Sequence, residues 1–258
     1  MQPVVEGLRN TGWQVDIRES MQFPQGDEKT FDLLACWGDT NKAIDILQSR
    51  LSKYILHVDN SYLNRNRYEG HYALTWGGER QCHRYLWQSP KCPDRFTALN
   101  ETILPWRTKG DKILLLAPSV KQGKILGFDT DTWARRMQQL LQKYTKRQVQ
   151  TRIKRYNIDA PLRSVLKNEN IFAAVGYNTK GLVECLLEGI PIFSLAPCAA
   201  QSMGLSDISQ IETPFYPDNR QEFFERLSGT QFLLSEVAQG LPFADSFMET
   251  VPKRTDNR

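Results

Sequence analysis

The stretch 171–193, IFAAVGYNTKGLVECLLEGIPIF, constrains the fold more than any other part of the chain. A short apolar run closes on Gly176, and a Gly-Tyr-Asn turn follows. A helix is predicted from near Thr179 to Leu187, Gly189 stops it, and a second apolar run follows Pro191. Two short strands joined by a helix lie parallel in one sheet, because parallel neighbours need a crossover and antiparallel ones need only a turn.

The same alternation runs through much of the chain. Residues 4–8 before Thr11-Gly12 predict a short helix, and 13–17 alternate like a strand. Residues 31–37 and 54–58 predict strands. Between them a helix capped by Asp39 or Thr40 carries Ala43, Ile44, Ile46, Leu47 and Leu51 on one face. From 62 to 106 the pattern gives way to aromatic, basic and proline residues, read as loops and short strands. It then restarts, with strands at 113–117, 148–153, 171–175 and 191–195 and helices at 132–144, 161–166 and 179–187. Residues 223–227 and 232–237 predict two closing helices, and 251–258 a frayed tail.

Helices alternating with strands that are apolar on both sides predict an α/β fold of two doubly wound domains, 1–108 and 109–250. The first opens almost directly in a helix, so either its first strand is absent or its sheet is ordered differently. The 258 residues, 40% hydrophobic and 24% charged, suffice for two such domains and are unlike a disordered, collagen-like or coiled-coil chain. The longest apolar stretches, 113–118 and 190–197, fall short of the roughly 20 residues a membrane span needs. No basic segment followed by an apolar one opens the chain, which predicts a cytoplasmic protein. Five unevenly spread cysteines, Cys36, Cys82, Cys92, Cys185 and Cys198, do not suggest a disulfide framework.

Within 171–193 the turn brings the N–H groups of a helix start, the positive end of its dipole, and Asn178 and Thr179 toward one point suited to a phosphate, with Glu184 within reach beyond it. An ordinary βαβ unit accounts for the same residues with Asn178 as a cap and Glu184 on a solvated face. Lys180 before Glu184 is the poorer order for an intrahelical ion pair, so helix stability explains that glutamate weakly.

Gly176-Tyr-Asn-Thr179, Glu184 and Leu187-Glu-Gly-Ile-Pro191 together resemble the donor-binding strand, loop and helix of GT-B glycosyltransferases, notably the capsule-polysaccharide type. The resemblance is best over 112–240. It implies two Rossmann-like domains facing a cleft, with the pyrophosphate of a nucleotide sugar at Gly176, Asn178 and Thr179 and its ribose at Glu184. The commonest form of the motif has Gly, Ser or Thr where Tyr177 and Asn178 stand, which leaves the phosphate contacts less defined than the fold. Trp37-Gly38-Asp39, Asp59-Asn-Ser-Tyr62 and 220–240 are similar to glycosyltransferase-like proteins encoded by bacteriophages.

Other residues take candidate roles within that reading. Arg152 and Lys154 end a strand and alternate onto one face, suited to a diphosphate, or else to an exposed edge. Ser119, Lys121 and Gly123 are read as a flexible donor-side flap. Asp129 and Asp131 look like a metal-binding acidic pair, but directly before a long helix they read as caps, and no metal or cofactor is assigned. Cys82, His83 and Cys92 lack the paired spacing of a zinc site.

An inverting transfer needs a base for the acceptor hydroxyl, and Asp39, Asp59 and His71 are the candidates, the first two equally readable as a cap and a turn residue. Tyr62, Arg65, Arg67 and Trp76 belong to an aromatic and basic segment, 62–87, that suits DNA or sugars as acceptor, or else a β-rich core. The chain is therefore expected to be a glycosyltransferase acting on a modified base of phage DNA in the host cytoplasm. A polysaccharide or lipid-linked acceptor, and a non-catalytic nucleotide-binding module, are the alternatives. Net charge is only +4, yet Arg135, Arg136, Lys143, Lys146, Arg147, Arg152, Lys154 and Arg155 follow one another without an acidic residue between them. Both a solvated helix face and an anion-binding surface account for that run.

Overall fold

Strand order decides which loops meet at a sheet edge, and here the order differs between two halves of the chain. The computed structural model describes residues 1–17, 31–38, 52–63, 70–76, 86–154 and 161–244. These fall into two units, 1–99 with the chain from 225 on, and 100–224. In chain order the elements before residue 100 are α1 (Gln2–Asn10), β1 (Phe31–Trp37), β2 (Ser52–Asn60), β3 (His71–Trp76) and α2 (Pro93–Ala98). Next come β4 (Lys112–Ala117), α3 (Val120–Leu126), α4 (Thr130–Leu141), β5 (Gln148–Ile153), α5 (Leu162–Asn168) and β6 (Ile171–Gly176). The last are α6 (Gly181–Leu187), β7 (Ile192–Ser194), α7 (Arg220–Ser228), β8 (Gln231–Leu233) and α8 (Leu234–Ala238). The chain is thus α/β, with one mixed and one parallel sheet.

The first unit departs from the doubly wound sheet expected of it. Its order is β1-β2-β3-β8; only β1 and β2 are parallel, while β3 runs antiparallel to both β2 and β8. Strand β8 and helix α8 come from the end of the chain, where a single closing helix was expected at 232–237. Residues 13–17 form no strand, although Trp13 and Val15 pack on the core made by Val4, Leu8, Leu56, Val58, Leu74, Phe232 and Val237. Their alternation reflects burial of one side without a ladder partner among the described residues.

The long-range closure of this unit rests on polar groups. The Gln231 side-chain oxygen, buried, accepts from the N–H groups of Tyr62 at 2.6 Å and Leu63 at 3.0 Å. Arg95 of α2 grips the Glu236 carboxylate with both terminal nitrogens, at 2.9 and 2.7 Å, donates to the Gln231 carbonyl, and lies over the Phe232 ring.

The second unit keeps the expected parallel order, β5-β4-β6-β7. Its strands match the periodicity because β4 and β6 are buried almost throughout. Ile113 and Leu115 face a core shared with Trp133, Met137 and Leu141 of α4. The segment following β4 is not a flap: Ser119 caps α3, its hydroxyl accepting from the Gln122 N–H at 3.2 Å.

Replacing Gln231 with Leu would leave two buried N–H groups without acceptors, at about 1–3 kcal/mol each. Urea denaturation of Gln231→Leu should show a loss of about 2–6 kcal/mol relative to wild type.

Candidate functional site

The chain leaves β4 toward β5 on one side and later returns to β6 on the other, so the loops after β4 and β6 diverge at the carboxyl edge of the sheet. Open α/β sheets take ligands at such a point. Of the residues singled out on the sequence as donor-binding, Ser119, Arg152, Lys154, Gly176, Asn178 and Thr179 all stand at this edge. Arg152 and Ile153 pair in register with Leu116 and Ala117, and Gly176 pairs with Leu116 from the other side. Neighbouring strands are about 4.8 Å apart, so three strand ends span roughly 10 Å.

The two diverging loops are tied together. Ser119 and Gln122 have the spacing of a capping box, in which the glutamine would reach back to its own cap. Instead the Gln122 side-chain amide donates to the Asn178 carbonyl at 3.2 Å, across the switch point. Gly176 lets this happen at close range: a Cβ there would lie 2.8 Å from Thr179 Cγ2 and 2.9 Å from Leu182 Cγ. Asn178 sits in the left-handed region, with φ 43°, and its Oδ1 is buried without a hydrogen-bond partner. The backbone N–H groups of Asn178 and Thr179 donate to no acceptor among the described residues. Thr179 Oγ1 accepts from the Gly181 N–H at 3.2 Å, so α6 starts at Gly181, two residues later than expected.

Glu184 therefore stands in the first turn of α6. Its charge acts on Arg163 of α5. Burial works against that guanidinium, but the hydrogen bond it donates to Glu101 and the charges of Glu101, Glu188 and Glu184 outweigh it and raise its pKa. Asp129 is the N-cap of α4, accepting from the Thr132 N–H at 2.7 Å, and its bonds to Thr132 hold its carboxyl below the usual range. Lys154 is exposed, as is Lys121 on α3.

A feature that the sequence reading did not single out is a cluster of rings beside this loop. Tyr177 meets Phe128 and Trp133 edge-on, with centroids 5.9 and 5.6 Å away, and Phe128 stacks on Trp133 at 6.3 Å. All three are half-buried. Tyr177 in place of the usual small residue was the available signal, and Phe128 and Trp133 flank the acidic pair that had drawn attention instead.

In the first unit the candidates separate. Asp59 is the penultimate residue of β2, its carboxylate accepting from the Asn60 N–H, and His71 opens β3 rather than lying in a loop. They occupy the same end of the sheet, since Asp59 pairs with Ala73 and Asn60 with Tyr72. Trp76 pairs with Leu56, toward the opposite end, and packs on the core. Tyr62 is 2% exposed, so its ring is a core element and offers no stacking platform. Asp39, Arg65 and Arg67 lie outside the described residues. Burial pushes the His71 imidazole below its usual 6.5, against the charge of Glu236 and together with that of Arg95.

The arrangement at the second sheet edge combines free donors, a strained asparagine, positive charge and aromatic surface. It can hold an anionic ligand with a flat or hydroxylated portion. No family model and no curated protein matches the chain.

Asn178→Gly keeps the positive φ without its strain and removes the orphaned oxygen, and should stabilise the ligand-free protein by about 1 kcal/mol, read as a raised Tm. A second measurement concerns His71. Its folded pKa lies below the unfolded value, so as pH falls from 6.5 the unfolded chain takes up a proton that the fold resists. Stability should thus drop between pH 7.5 and pH 5.5 by calorimetry, and less steeply in His71→Gln.

Proposed function

We propose that the protein is a glycosyltransferase of GT-B type whose second unit holds a nucleotide-sugar donor at the carboxyl edge of β4 and β6. The observation that carries the reading is the loop Gly176–Thr179: two backbone donors without acceptors beside a left-handed asparagine, at the switch point of a parallel sheet. In this reading the N–H groups of Asn178 and Thr179 and the Thr179 hydroxyl bind the diphosphate, with Ser119 opposite. Glu184 accepts from the ribose hydroxyls. Arg152 and Lys154 place positive charge where the leaving diphosphate develops its own negative charge, which lowers the barrier to departure.

The acceptor hydroxyl must lose its proton as the sugar is transferred. Asp39, Asp59 and His71 are the candidate bases; burial lowers the pKa of His71, which makes it a weaker proton acceptor than a free imidazole. Asp129 is occupied as a helix cap, so the acidic pair Asp129 and Asp131 is given no part in metal binding. Chelator treatment should leave transfer intact. Activity lost on chelation and restored by manganese or magnesium would reverse that assignment.

The direct test is thermal denaturation with uridine and guanosine diphosphates. A ligand at 100 times its dissociation constant should add about 2.7 kcal/mol. Glu184→Ala, which removes hydrogen bonds to a charged group worth about 1.5–3 kcal/mol, should weaken binding at least about tenfold. Asn178→Gly should weaken it while raising the ligand-free Tm. Absence of a shift with every nucleoside diphosphate would overturn the reading. Binding without hydrolysis or transfer of any nucleotide sugar would reduce it to a nucleotide-binding module.

A further inference from the structure

The basic run from Arg135 onward is not used by the proposed donor site, apart from Arg152 and Lys154. On α4 the residues Arg135, Arg136 and Gln139 are exposed, and Gln142 and Lys143, also exposed, follow in the turn just beyond Leu141. At 100° per residue the three helical residues share an arc of about 100° along the outer side. The opposite side of the helix, Ala134, Met137 and Leu141, is turned into the core. Beyond the helix come Tyr144, 42% exposed, and Lys146, exposed at the start of β5, which is the edge strand of its sheet.

Among the described residues no ion pair engages Arg135, Arg136, Lys143 or Lys146; Arg135 donates to the Thr132 hydroxyl and its charge acts on Asp129. Of the nearby acidic groups, Asp129 caps α4, Asp131 is exposed in the first turn of α4, and Glu212 is held by Arg147 and Thr145. The stripe begins near the amino end of α4, which follows the loop of the candidate site, and runs from there toward the amino end of β5.

We infer that the outer face of α4 and the adjoining start of β5 form a docking surface for the phosphate backbone of nucleic acid, with double-stranded DNA as the partner. Two arginines on the helix and two lysines beyond its end, interleaved with amides that hydrogen-bond to phosphate and sugar, match a line of anions. Tyr144 adds an exposed ring at the same surface. An acidic membrane fits less well, because Trp133, Met137, Leu140 and Leu141 of α4 pack on the core and the exposed arc carries no large aliphatic residue. The surface is independent of the nucleotide reading and stands or falls without it.

The test is fluorescence anisotropy of a labelled 25-base-pair duplex with the full chain, between 50 and 200 mM salt. Four phosphate contacts give a slope of log K against log salt of about −3.6, hence a loss of roughly 150-fold in affinity over that range. The variant R135Q/R136Q/K143Q/K146Q should bind more than about tenfold more weakly at 50 mM and lose most of the slope. Lys143→Gln alone should flatten the slope by about 0.9. A melting curve and the shift with nucleoside diphosphate show whether the variant is folded, and keep failure here separate from failure of the donor site. If the quadruple variant does not fold, Lys143→Gln decides. The inference is overturned if the wild-type chain binds no duplex at 50 mM, or if the folded variant keeps wild-type affinity and slope. Binding to phosphatidylserine vesicles but not to the duplex would overturn it in favour of a membrane.

Discussion

How closely α6 approaches the strands beneath it sets the geometry of the candidate site. Two glycines permit that approach. A Cβ on Gly176 would press on Thr179 and Leu182, and one on Gly181 would lie 2.9 Å from Leu162 and 3.0 Å from Leu116. Helix α6 can therefore rest on β4 and β6 with its first turn close to the sheet edge, and the connecting loop has no slack. A short loop in that position must turn sharply, and Asn178 takes the left-handed conformation that the turn requires. The Gln122 amide then fixes the loop from the far side through the Asn178 carbonyl. A side chain at 176 or 181 would require these neighbours to shift, with less room to do so at 176 than at 181, where it meets the flexible ends of two leucines.

The second unit was legible in the sequence because its information is local. Strands buried on both faces read as unbroken apolar runs, and the helices between them carry local signals, a cap at Ser119 and at Asp129 and a stop at Gly189. The first unit was not, because its sheet is completed by residues far away in the chain. Nothing near Tyr62 signals that its N–H will find Gln231, and nothing in 231–233 signals a strand until β3 is beside it. A three-residue strand followed at once by a helix has no periodicity of its own, so the whole segment read as helix. The same limitation hid the role of Tyr62, whose aromatic ring suggested a surface but fills the core.

At the site, the sequence supplied the residues of each strand end but not their cross-links. Ser119-Val-Lys-Gln122 carries a local capping signature, and only the fold diverts its glutamine to another loop. Tyr177, Phe128 and Trp133 are separated by dozens of residues or by a turn, and their contact depends on α4 and β6 being packed on one sheet. A single aromatic residue in a loop says little, whereas three in mutual contact beside unsatisfied donors describe a surface.

The two sheets end differently, and that difference argues for where a ligand belongs. At the carboxyl end of β2 the backbone is already satisfied: the Ser61 N–H reaches the His71 carbonyl, and those of Tyr62 and Leu63 share the Gln231 oxygen. A ligand arriving there would have to displace bonds that hold the unit closed. At the carboxyl end of β6 the N–H groups of Asn178 and Thr179 have no acceptor, and the buried Asn178 side-chain oxygen no partner, among the described residues. At Asn178 conformational strain and an unmet hydrogen bond coincide in one residue, a combination that supports a binding site. In the proposed reading the diphosphate supplies the acceptors for the two N–H groups at this edge.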